Sequence, residues 1–474
     1  SHRTSTALPK MMVLKESLTK SAFFILVLEI IGSSASPNDL RSINKNVLRP
    51  PLAFHNSGPQ SRRNLIDTAA QTIAAGVLTT SLSSPSPAVA KTYDGTNDLY
   101  SVYQIFPDAS ADLSPYIKPI EPAKFLQYNI FNGQQEKAKQ NKNGMKGGVI
   151  WLGEHHNAKR DHDLQALFIE NVYNQRKAMS RRGKDTPKMS IGLEQVQVQY
   201  QHFLDDYVQG KISEEEMLNG CEWATRWSWP FENYKSVFDL AQKLKIPLVA
   251  LNVNSEDLAK VEIDGFKGLD GKTIRKYIKD PVGFGEFAKP KSYRTYSAYV
   301  IEPSYDMHKE LGILKTKNEA GQALDDNTSF RNFFSGRILW DEAMAGNAYE
   351  WTNDNEGGIM IGLIGADHVK FEKGVVGRYQ RLLDRNKGDG DAKSIADAMN
   401  VSVLLNPTLI DTQPSGSAAA YMNASSSAYP DQITLQLRYL KDDVVPSSPD
   451  RSLPSSTGGV LPLADYIVIS NART

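Results

Sequence analysis

Twice in this chain an uninterrupted apolar run ends in the pattern G-x-x-H. Val149-Ile150-Trp151-Leu152 leads into Gly153-Glu154-His155-His156, and Ile359-Met360-Ile361-Gly362-Leu363-Ile364 leads into Gly365-Ala366-Asp367-His368. Short apolar runs without alternation suit strands that are buried on both faces. Such strands require helices on either side of the sheet, so a parallel α/β architecture is expected. Carboxylates and imidazoles at the carboxyl ends of such strands sit where open α/β sheets hold ligands.

The rest of the sequence supplies that architecture. Further strands are read at Met189 to Leu193, Pro247 to Leu251, Ser402 to Asn406 and Leu463 to Ile469. Helices are read over Asp161–Met179, with Asp161 as its cap, Val196–Val208, Asn233–Leu244 and Ser329–Trp351. Ser213 and Glu216 have the spacing of a capping box. The fold class expected is α/β, a mostly parallel central sheet flanked by helices. The stretch of about 261–328, rich in glycine and proline, is read as a helical insertion over the carboxyl edge. Domain organisation follows as a presequence over 1–90, an N-terminal arm over 91–147 and the α/β domain over 148–474. In that arm Tyr100, Tyr103 and Phe106 are read as packing on the body.

Composition narrows the function classes. Of the 474 residues 40% are hydrophobic and 23% charged, ordinary values for a globular chain. Formal net charge is zero, and the basic excess falls in residues 1–90, so the remainder is acidic and gives no footprint for nucleic acid. Cys221 is the one cysteine, which rules out intrachain disulfides, C-x-x-C zinc sites and covalent C-x-x-C-H haem attachment. No G-x-G-x-x-G or Walker pattern occurs.

The first ninety residues read as an address. Lys15 and Lys20 precede the apolar run Ala22 to Leu28, with the small residues Ser33-Ser34-Ala35 beyond it, as in a secretory signal. The apolar run is too short for a membrane anchor. Arg62-Arg63 then opens a twin-arginine segment that closes at Ala88-Val89-Ala90. Two signals in series imply a plastid protein delivered to the thylakoid lumen and not transmembrane after processing.

Candidate site residues come from the two motifs and their surroundings. His156 and His368 end the paired motifs, and neutral imidazole suits iron or zinc. Glu154 and Glu194 are candidates for an orienting acceptor, a metal carboxylate or a general base. His155 and Asp367 lie inside the motifs, and Asp341 is read as either an orienting partner or solvated. His162 is read as a solvated helix start. Trp223, Trp227, Trp229, Phe231 and Tyr234 form the densest aromatic cluster and read first as core, with Trp227 and Tyr234 as the alternative wall of a flat-ligand pocket. Arg331, Arg337 and Lys370 are candidate partners for ligand carboxylates.

These residues together resemble the ChaN-like haem-binding uptake family of the Tiki and erythromycin-esterase superfamily. The resemblance runs through Leu152-Gly153-Glu154-His155-His156, Gly192-Leu193-Glu194-Gln195, Pro247 to Asn252, Leu339 to Ala345 and Gly362 to Val369. It implies a noncovalently bound haem or related tetrapyrrole, and a homodimer with paired haems. For cofactor binding it points to His155, His156, His368, Asp367, Trp227 and Tyr234. Two alternatives stay open. One is a hydrolase with a divalent metal (Zn or Mn) on His156 and His368 and Glu154 or Glu194 as base; the other is a non-catalytic scaffold.

Overall fold

Side chains along β3 (Gly148–Glu154) alternate between two separate hydrophobic clusters. Ile150 and Leu152 enter one, and Val149 and Trp151 the other. That alternation requires covering layers on both faces, and the computed structural model supplies them. It describes residues 99–108, 115–130, 147–180, 188–310, 314–317, 323–385, 398–408, 411, 433–440 and 458–471. The presequence expectations for residues 1–90 therefore lie outside the described residues.

Before β3 come β1 (Tyr100–Phe106) and β2 (Tyr116–Ile120). After it come β4 (Met189–Gln197), β5 (Leu248–Asn252), the short pair β6 (Lys315–Lys317) and β7 (Ala323–Asn327), β8 (Ile359–Gly365) and β9 (Met399–Leu405). β10 (Gln436–Leu440) and β11 (Gly458–Pro462) pair as a ribbon, and β12 (Tyr466–Ser470) closes the order. Eight of these strands form one sheet in the order β2-β1-β12-β9-β3-β8-β4-β5. The six from β12 to β5 are mutually parallel. β1 and β2 form an antiparallel hairpin at the edge, where an arm packed on the body was expected. Their alternation is masked in sequence by polar neighbours, so the pairing partner β12, over 360 residues away, decides it.

Four helices matter for the site. α1 (Lys159–Ser180) and α2 (Phe231–Leu244) cover the face that holds Ile150 and Leu152; α3 (Phe330–Asp354) and α4 (Val375–Arg385) cover the face that holds Trp151. The region after β5 is helical from Ser255 to Glu310, apart from short turns. Capping follows local chemistry: Ser213 Oγ accepts from Glu216 N at 3.2 Å while Glu216 returns a bond to Ser213 N at 2.7 Å. Ser329 caps α3 with a single bond, its Oγ accepting from Asn332 N at 3.2 Å. No described helix is long and apolar enough to cross a membrane.

Topology puts the two motifs side by side. β3 and β8 are adjacent and parallel, with Gly153 opposite Ile364 and Glu154 opposite Gly365. The motifs are thus staggered by one residue, and the Glu154 side chain stands beside a position that has none. β4 and β5 lie on one side of this pair and β9 and β12 on the other, so the sheet changes its direction of growth here.

Candidate functional site

Glu154, at the end of β3, is buried, and an ionised carboxylate survives there only if donors replace its water. They do. Oε1 accepts from His156 Nδ1 at 2.9 Å, Gln195 Nε2 at 3.0 Å and Tyr234 OH at 3.2 Å. Oε2 accepts from Gln165 Nε2 at 2.6 Å and lies 3.4 Å from His162 Nδ1. Burial alone would raise this carboxyl; the His162 and His156 rings override it and hold it well below the usual range. The same pairing pushes His162 up to about 9 against its own burial. His162 is therefore not a solvated helix start: its ring is buried and also meets the His156 carbonyl at 3.1 Å.

His156 leaves the strand end with one ring nitrogen fixed. Since the Glu154 carboxylate can only accept, Nδ1 donates, and a neutral ring then presents its lone pair on Nε2. Trp227 meets this ring edge-on at 4.9 Å and Trp229 lies tilted at 5.8 Å. Trp227 Nε1 in turn donates to Tyr234 OH at 3.2 Å. The aromatic cluster is core, as first read, yet two of its members also form the wall around His156. The Nε2 side faces β8 at Gly365. A Cβ at Gly365 would stand 2.8 Å from His156 Nε2, so glycine there lets the imidazole pack against the β8 backbone.

The second motif is built differently. His368 is buried between two carboxylates, with Nδ1 on Asp341 from α3 and Nε2 3.1 Å from Glu194 of β4. The other oxygen of Glu194 accepts from the Gly365 backbone N–H at 2.6 Å. Burial and Arg337 lower His368, but the two carboxylates win and raise it. Glu194, which burial would raise, is lowered by His368 and by the Gly365 bond. Asp341 is wholly buried here, which settles its role as an orienting partner.

The structure thus brings Glu154, Glu194, His156, His368, Trp227 and Tyr234 together at one sheet edge. His155 belongs to a neighbouring network instead. Its Nδ1 meets Asp161 at 2.8 Å and its Nε2 meets Asp411 at 3.1 Å, so both ring nitrogens are taken. Asp161 is no simple cap: it also accepts from His155 N and from Asn406 Nδ2 of the β9 end. Asp367 pairs with Lys370 at 2.5 Å, which commits that lysine. Arg331 is exposed, whereas Arg337 lies close to Asp341. Sequence reasoning missed Gln165, gave Gln195 no role beyond the resemblance and placed the buried His162 in solvent, because no local pattern marks a polar side chain that turns inward to serve a carboxylate two elements away.

A divalent metal needs at least three converging ligands in most protein sites. Among the described residues no group of three or more His, Cys, Asp and Glu is disposed to hold one. The expected His156/His368 metal pair does not form in this arrangement, because both nitrogens of His368 are engaged by carboxylates. The groove between α1 and α2, lined by Ala166, Leu167, Glu170, Ser236, Asp239, Leu240 and Lys243, shares no residue with this cluster.

The model of the family described as "Haem-binding uptake, Tiki superfamily, ChaN" matches residues 142–378, which is half of the chain and includes both motifs. The chain belongs to this family. Among solved structures, this ChaN-family chain is similar to ChaN of Campylobacter jejuni, described with cofacial haem binding, at 13% identity, covering 79% of this chain and 98% of that one with a TM-score of 0.41. A Bacillus cereus protein is similar at 12% identity over 73% and 96% of the two chains, TM-score 0.28. An erythromycin esterase mutant in its open conformation is similar at 13% identity over 67% and 76%, TM-score 0.27. No curated protein matches the chain.

Proposed function

We propose that this ChaN-family chain is a noncovalent haem- or tetrapyrrole-binding protein, with His156 Nε2 as the nitrogen offered to the iron. The observation that carries the reading is the partly exposed His156 imidazole, its Nδ1 held by the buried Glu154 carboxylate, in a chain that matches the haem-binding family. A carboxylate on the far nitrogen of a ligating histidine fixes its tautomer and raises its basicity. Haem would bring the iron and its redox chemistry; the protein's residues orient the imidazole and shield it with Trp227 and Trp229. The test is titration of recombinant residues 91–474 with hemin. A Soret shift at micromolar protein that is lost in His156→Ala is expected, and an unshifted spectrum rejects the reading.

For location we propose the thylakoid lumen of a plastid. The serial signals in residues 1–90 support it, above all Arg62-Arg63 followed by Ala88-Val89-Ala90. Import assays with Arg62 and Arg63 both changed to Lys should block the second step, and a mature protein that does not begin near Lys91 would count against it.

A further inference from the structure

The second motif runs straight into a turn that its own residue types disfavour. Among the described residues, Phe371 and Glu372 are the one place where two consecutive residues other than glycine are left-handed, at φ 60° and 58°. Glycine takes that conformation freely and phenylalanine does not, so the turn persists only because its surroundings hold it. The Phe371 N–H donates to Leu463 O at 2.9 Å. Its buried ring meets Tyr299 of the helical region edge-on at 6.2 Å. Beyond the turn the chain doubles back on the motif. A Cβ at Gly374 would collide with the His368 carbonyl, and one at Gly377 with the Glu372 carbonyl. The turn therefore backs the segment that carries His368.

Two acidic side chains face each other across this joint. Asp465, in the connection between β11 and β12, acts on Glu372 and is itself tied down, its Oδ2 accepting from Ser402 N and Ser402 Oγ of β9, both at 2.8 Å. The cation beside Glu372 is Lys373, whose ammonium lies 5.6 Å over the Phe287 ring. Burial first, then Asp465, push the Glu372 carboxyl up to about 7 against the pull of Lys373, and burial raises Asp465 as well. A carboxyl raised in the shut turn binds its proton more tightly there than in an open one. The shut form is then favoured at low pH and loses that support as pH rises through about 7.

We infer that the Phe371–Glu372 turn is a pH-sensitive catch on the second motif: protonated Glu372 stays beside Asp465 and keeps the turn shut, whereas ionised Glu372 is driven toward water and releases the backbone behind His368. The left-handed pair makes this turn, rather than the paired strands around it, the place that gives. The device needs no ligand and does not rest on the haem reading.

Hydrogen exchange of the full chain, followed by mass spectrometry between pH 6 and pH 8 and corrected for the intrinsic base catalysis of exchange, reads the opening. With Glu372 near 7 in the shut turn and at its ordinary 4.5 in the open one, opening over residues 366–374 should become about 10-fold more frequent across that range. The α2 stretch Phe231–Leu244 should keep its protection. Glu372→Gln keeps the shape of the side chain and should leave 366–374 equally protected at both ends of the range. Asp465→Asn keeps an acceptor for Ser402 and should leave a smaller rise, because burial still acts on Glu372. Flat protection of 366–374 in the wild-type chain overturns the inference, and so does a rise that survives in Glu372→Gln. A rise shared equally by Phe231–Leu244 overturns it too, since the whole fold would then be loosening. An undiminished rise in Asp465→Asn overturns the role given to Asp465.

Discussion

At the scale of single residues, glycine at position 362 is forced by contact. Gly362 of β8 lies under the buried Trp151 ring, where a Cβ would come within 2.5 Å of ring carbon. Gly362→Ala must push that indole against Tyr379, its edge-on neighbour at 5.8 Å. The expected loss is about 1–3 kcal/mol, typical of overpacking, and chemical denaturation would measure it. Glu372 offers a pH-dependent case. Burial, and then Asp465, push its carboxyl up to about 7. An acid raised on folding favours the protonated form, so its contribution to stability is full below the unfolded value of 4.5 and is lost as pH rises through about 7. Glu372→Gln keeps the shape and removes the titration. It should raise stability at pH 8 by on the order of 2 kcal/mol, a figure discounted for partial solvent access, and leave it unchanged near pH 4. Melting temperatures across that range decide the point; parallel curves for both proteins would refute the assignment.

At the scale of elements, α3 departs most from its reading in sequence. Asp341 and Glu342 interrupt the helix's apolar positions with charge, yet both are wholly buried. The helix is covered on one side by the sheet and on another by α4, so little of it faces water. Glu342 joins the two helices by accepting from Arg378 Nη1 at 3.0 Å and Arg381 Nη2 at 2.5 Å. Arg378 also donates to Tyr293 OH at 3.1 Å and lies over the Phe287 ring at 4.9 Å. Breaking one side of a buried pair strands the other charge. Glu342→Leu should therefore cost about 3–5 kcal/mol, and the double variant Glu342→Leu with Arg378→Met should recover much of that loss. Equal destabilisation by the single and double variants in urea unfolding would show that the pair is not the cause.

At the scale of the whole molecule, the sheet divides two cores and gathers the site at its carboxyl edge, where the His156 ring is partly exposed and the other site residues are buried. A ligand held at that edge binds only the folded chain, because Glu154, Glu194 and the two motif histidines come from separate strands and helices. Binding must then raise the unfolding free energy, by about 2.7 kcal/mol at a free ligand concentration 100 times Kd. Hemin should accordingly raise the melting temperature of the wild-type chain and not that of His156→Ala. A shift of the same size in both would mean that hemin binds elsewhere.

The buried strands could be read locally because their runs are apolar on both faces, and Ser213 could be read as a cap because capping needs only three or four neighbouring residues. The sequence by itself therefore determined the parallel α/β architecture and pointed to both histidine motifs. Only the tertiary structure decided that β1 and β2 extend the sheet, since their pairing depends on β12. It alone also separated the histidines: His155 and His368 each lie between two carboxylates, while His156 meets one, on Nδ1. The physical reason is that a ring's chemistry depends on which charges surround it, and Asp341, Glu194 and Asp411 reach these rings from strands, helices and loops that lie far away along the chain.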